Sequence, residues 1–118
     1  MISKYMSDRI AKRLQELSQL QPGWLDGEGA AVSPTCITWT MDVFKNLPVD
    51  FPPTYLYPTP DGDIQIEWTI GDWSIQAYTT KLPCLHIDAL NTKTDEVIEK
   101  IFDCDYIAQL HTLLLYLS

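Results

Sequence analysis

A chain of 118 residues, 46% of them hydrophobic, is one globular domain by length, and it can bury roughly two-thirds of the surface that its unfolded form exposes. Its longest apolar run, in "LHTLLLYLS", is well short of the ~20 residues that span a bilayer. A formal net charge of −8 opposes nucleic acid or an anionic membrane as a direct partner, because phosphate binding draws on Lys and Arg.

The charge is unevenly placed: residues 61–118 hold ten acidic and three basic groups, against six and five in residues 1–60. Such an acidic half suits solubility and fast association with a basic protein surface. "MISKYMSDRIAKRLQEL" is charged throughout, unlike a secretory signal. Cys36, Cys84 and Cys104 are odd in number and form no CxxC pair, as free buried thiols would. Both observations point to a cytoplasmic protein.

In chain order, Ile2, Met6, Ile10, Leu14 and Leu17 recur every three or four residues and predict an amphipathic helix. Lys4, Arg9, Lys12 and Arg13 fall outside that stripe and read as a solvated basic face. Pro22 and Gly23 stop the helix near Leu20. The corner that follows, "PGWLDGEGA", invites three readings. A phosphate cradle wants a preceding strand and a Lys, and a calcium loop wants more oxygen ligands than Asp26 and Glu28 supply. A turn with glycines at positive φ and Trp24 folded onto the core fits best, with Asp26 and Glu28 as candidate recognition residues on its edge.

Ser33 as N-cap and Pro34 at the first helical position open a second helix. Ile37, Met41 and Phe44 are its expected inner face, and it ends before Leu47-Pro48. Five of the eight prolines crowd residues 48–60, leaving room for one short strand, Thr54 to Tyr57, at a sheet edge. "DIQIEWTIGDWSIQAYTT" is then a hairpin with a type II′ turn at Gly71-Asp72. Pairing Ile70 with Trp73 places Ile64, Ile66, Trp68, Ile70, Trp73, Ile75 and Ala77 on one face. The other face receives Glu67 opposite Gln76, Gln65 opposite Tyr78, and Thr69 opposite Ser74. One register sorts both strands; the apolar face packs on helices and the polar face meets solvent or a partner.

"PCLHIDAL" is a further strand with Leu85, Ile87 and Ala89 inward. Residues 95–102, "DEVIEKIF", fit either a strand or a short helix capped by Thr94. Ile107, Leu110, Leu114 and Leu117 mark a C-terminal helix that Asp103 or Asp105 could cap. The expected fold is α+β: two N-terminal helices, an antiparallel sheet of about four to five strands, and one C-terminal helix in a single domain over residues 1–118.

No catalytic residues stand out. Cys84, His86 and Asp88 alternate along one strand, but neighbours at i and i+2 stand ~6–7 Å apart, and no spacing supplies a fourth ligand. His86 and His111 are the only histidines, and no nucleophile sits in an elbow or helix-terminus context. Asp61 and Asp63 share a turn, where carboxylates are solvated rather than tuned. Neither a metal nor another cofactor is expected.

"GWLDGEGAAVSPTCI", "PTPDGDIQIEW" and "WSIQAY" together resemble a broad group of small uncharacterised bacterial and phage proteins. Their shared pattern is a Gly-Trp-acid corner closed by Gly-Ala, a Ser-Pro helix start and a Pro-x-x-Asp-Gly-x-Ile-x-Ile/Leu-x-Trp hairpin. The matching positions here are Gly23, Trp24, Gly29, Ala30, Ser33, Pro34, Pro58, Asp61, Gly62, Ile64, Ile66, Glu67 and Trp68; Leu25 is an insertion relative to the pattern. The likeness covers residues 20–80, is one of fold, and implies a setting in mobile or defence-linked gene neighbourhoods. The functional expectation is a non-catalytic acidic protein that binds and inhibits a basic protein partner, of the antitoxin, immunity or anti-defence type. Its candidate partner-binding residues are Asp26, Glu28, Asp61, Asp63, Gln65, Glu67, Gln76 and Tyr78. The alternatives are an assembly subunit, homodimeric through the strand near Tyr55 or the C-terminal helix, and a small metal-dependent enzyme using Cys84, His86 and Asp88.

Overall fold

A computed structural model describes residues 7–46, 53–79, 84–103 and 106–118. Its elements follow the order α1 (Asp8–Ser18), α2 (Pro34–Asn46), β1 (Thr54–Pro58), β2 (Ile64–Ile70), β3 (Trp73–Tyr78), β4 (Leu85–Asn91), β5 (Val97–Phe102) and α3 (Tyr106–Leu117). The strands form one antiparallel meander in the order β1-β2-β3-β4-β5. The fold is α+β, as the sequence pattern predicts, and residues 95–102 resolve into a strand.

The hairpin register is the expected one, with Ile70 opposite Trp73, Trp68 opposite Ile75, and Ile66 opposite Ala77. Gly71 takes a positive φ of 56° and Asp72 does not, which suits the type II′ turn. Because side chains alternate along each strand, this register sends Ile64, Ile66, Trp68, Ile75, Ala77, Leu85, Ile87 and Ala89 to one face, where all are buried. They form a continuous core with Ile10, Leu14 and Leu17 of α1, Val43 and Phe44 of α2, and Leu110, Leu114 and Leu117 of α3. The three helices therefore lie on the same side of the sheet. Within that core the Trp68 indole is 1% exposed, and its Nε1 donates to Thr54 Oγ1 at 2.8 Å, which satisfies the polar end of the largest buried ring.

Three local expectations need correction. The buried face of α2 runs through Cys36, Thr40, Val43 and Phe44, with Ile37 and Met41 half-buried on its flank. The small Cys36 and Thr40 are buried in place of the larger Ile37 and Met41, so the stripe sits one residue back from the expected one. Trp24 does not enter the core. Its ring lies across the corner itself, donating from Nε1 to Ala30 O at 2.7 Å, and a Cβ on Gly29 would meet the ring at 3.0 Å. The corner is a miniature hairpin in which Leu25 and Glu28 exchange both backbone hydrogen bonds at 2.8 Å around Asp26 (φ 50°) and Gly27 (φ 91°), a type I′ pairing.

The third correction concerns α1. Its N-cap is Ser7, whose side chain accepts from Ile10 N; Ile2, Lys4 and Met6 lie outside the described residues, as do Asp105 and Leu47-Pro48. Arg9 and Arg13 are not a merely solvated face. Arg9 donates to Thr54 O and stacks over the Tyr55 ring, 5.1 Å from its centroid, and Arg13 Nε donates to Leu56 O at 2.9 Å. These carbonyls belong to β1, an edge strand. Two arginines thus occupy edge acceptors that otherwise template pairing with another chain.

Candidate functional site

The side chains that alternate out of the core give the sheet a second face, and none of the described helices packs on it. Cross-strand register arranges this outer face in rows. One reads Tyr57, Gln65, Tyr78, His86, Ile101; the next reads Tyr55, Glu67, Gln76, Asp88, Glu99; the third ends in Thr69, Ser74, Leu90, Val97. Tyr55, Tyr57, Leu90, Val97 and Ile101 are exposed, while Gln65, Glu67, Gln76, Tyr78, His86 and Asp88 are half-buried among their neighbours. Glu67, Asp88 and Glu99 bring three carboxylates into one row, and among the described strands no Lys or Arg takes an outer-face position.

The polar members are held by bonds along the strands. Gln65 Nε2 donates to Glu67 Oε2 at 3.1 Å, the Tyr78 hydroxyl donates to Gln76 Oε1, and His86 Nε2 stands 3.2 Å from Asp88 Oδ1. The Tyr78 ring meets the His86 imidazole edge-on, with centroids 5.7 Å apart. Burial, then the negative charge of Asp88, then that of Glu67, push the Tyr78 phenol above its ordinary range. It therefore stays a neutral donor on an acidic surface.

The sequence-predicted residues divide into two groups. Gln65, Glu67, Gln76 and Tyr78 come together on the outer face as expected. Asp26 and Glu28 stay exposed on the corner, and Asp61 is exposed in the turn before β2. The corner and this turn are tied together by Ala30 N to Pro60 O and Ser33 N to Gly62 O, both 2.8 Å. Asp63 leaves the set: it is half-buried, and its Oδ1 lies 3.8 Å from Cys36 Sγ on α2, so its carboxylate turns towards the helix layer.

The sequence pattern puts His86 and Asp88 on one side of their strand, but it does not place Tyr57 and Glu99 with them on one surface. Glu99 could be placed only once residues 95–102 were known to be a strand in register with β4. The gap expected between His86 and Asp88 holds for their positions on the strand, but their long side chains lean together at the tips. Cys84 and His111 do not join them: the ligating atoms that gather within 4.8 Å of one another belong to His86, Asp88 and Glu99. His111 lies on α3, across the sheet.

No helix among the described residues is long and apolar enough to cross a membrane. No family model, curated protein or solved structure matches the chain.

Proposed function

We propose that this chain is a non-catalytic, acidic protein-binding module of the cytoplasm that inhibits a basic protein partner through the outer face of its sheet. The observation that carries this reading is the row Tyr55, Glu67, Gln76, Asp88, Glu99, with Arg9 of α1 over the ring of Tyr55 at one end, three carboxylates along it and no outer-face Lys or Arg among the described strands. A rigid sheet presents these groups without further ordering, which preserves affinity, and aromatic side chains beside charges are the composition of binding surfaces. The antitoxin, immunity or anti-defence character of the inhibition rests on the resemblance of residues 20–80 alone.

The experiment is purification of the tagged protein from its host, with the partner identified by mass spectrometry and the complex mass read by light scattering. The reading expects a stoichiometric basic protein that binds Glu67→Lys more weakly and dissociates as salt rises. A complex indifferent to both Glu67→Lys and salt contradicts it.

A second reading, a homodimeric assembly subunit, draws on a different place. An apolar groove of about 620 Å³ runs between β5 and α3, lined by Ile98, Phe102, Leu113 and Tyr116 among others. Leu115 and Tyr116 of α3 are themselves exposed. This reading expects a partner-free, concentration-dependent dimer that Tyr116→Glu breaks.

A further inference from the structure

We propose that His86, Asp88 and Glu99 form a binding site for a divalent first-row transition-metal ion at the centre of the outer face. Asp88 and Glu99 are direct cross-strand partners, an arrangement that like charges make unfavourable unless a cation relieves it. No outer-face Lys or Arg of the described strands supplies that cation. His86 reaches the same point from two residues away on β4, and the three ligand atoms lie within 4.8 Å of one another.

The Asp88 oxygen that faces the imidazole carries the sharper observation. Oδ1 is shut off from water and makes no aligned hydrogen bond, while the Asp88 side chain as a whole is 37% exposed and His86 Nε2 stands 3.2 Å from that oxygen. That contact has the separation of an ion pair without the alignment of a hydrogen bond. Two donors 3.2 Å apart match the spacing of adjacent ligands around an ion with bonds of about 2.0–2.2 Å. Small rotations of the exposed Glu99 side chain close the third bond. The Tyr78 ring packs edge-on against the imidazole, with centroids 5.7 Å apart.

The donor set chooses the metal class. One imidazole with two carboxylates and no thiolate suits Zn²⁺, Mn²⁺ or Fe²⁺ rather than Cu⁺, and an imidazole ligand disfavours Ca²⁺ and Mg²⁺. Three protein ligands leave positions open to water or to a donor from outside the chain. This site shares Asp88 and Glu99 with the surface proposed for the partner, but Glu67, the residue that tests the partner, is not a ligand, so the two proposals fail separately.

The test uses the full, tag-free chain after treatment with chelator, titrated with Zn²⁺ by calorimetry and with Co²⁺ by its ligand-field spectrum. The expected result is saturation at one ion per chain. His86→Ala and Asp88→Asn should each weaken binding at least about ten-fold, while Cys84→Ala and His111→Ala bind as the parent does. Circular dichroism checks that the variants fold, and His86→Gln repeats the test with a side chain that retains polar volume. No saturable binding, unchanged affinity in both His86 variants, or loss of binding with Cys84→Ala would overturn the proposal.

Discussion

The two faces of this sheet come from the same five strands, one residue out of phase, and they follow different rules. On the inner face, Ile64, Ile66, Trp68, Ile75, Ala77, Leu85, Ile87 and Ala89 vanish beneath three helices. On the outer face, tyrosines and carboxylates are positioned by bonds between residues two apart, such as Gln65 to Glu67 and Tyr78 to Gln76. Stability therefore resides on one side and the proposed recognition on the other, so substitutions should separate the two properties by face.

The strongest attempt to break this division is Trp68→Ala. It empties a fully buried indole site and removes the hydrogen bond to Thr54 Oγ1, so a loss of about 3–5 kcal/mol is expected, read from urea unfolding. The double variant Arg9→Ala/Arg13→Ala comes next. It removes the arginine donors to the Thr54 and Leu56 carbonyls at the sheet edge, and a loss of about 1–2 kcal/mol should come with faster amide exchange in the β1–β2 pairing. Tyr55→Ala, on the outer face, should stay within about 0.5 kcal/mol of the parent in the same urea assay while weakening the partner complex. A loss there comparable to that of Trp68→Ala would contradict the division.

The phenol of Tyr78 sharpens the comparison through pH. Its folded pKa is raised, so its contribution to stability is complete below the ordinary phenol value of about 10 and is lost as pH rises through the folded value. A spectrophotometric alkaline titration should show one tyrosine deprotonating late, and Asp88→Asn should bring it part of the way back.

The fold was largely legible because its signals are periodic. Alternation in residues 64–79 admits a single register, and Ser33-Pro34 marks a helix start by capping chemistry alone. Where periodicity fails, so does the reading. Large apolar residues on α2 drew the eye to its flank, since nothing local says that Cys36 and Thr40 face the sheet. Arg9 and Arg13 look solvated in sequence because their acceptors lie more than forty residues away. The outer face was half legible: Gln65, Glu67, Gln76 and Tyr78 follow from the hairpin, but Asp88 and Glu99 meet only through the pairing of β4 with β5. Asp63 was misplaced because alternation does not extend past a strand's first residue into the turn, where a thiol on α2 redirects its carboxylate.

The most direct measurement is hydroxyl-radical footprinting of the free chain and of the complex purified from its host. In the free chain Tyr55 and Tyr57 should be oxidised readily and Trp68 should resist. In the complex, protection should fall on Tyr55, Tyr57 and Tyr78, with Tyr116 on α3 unchanged. Protection of Leu115 and Tyr116 with the three outer-face tyrosines still reactive would place the partner on the helix layer and contradict the account.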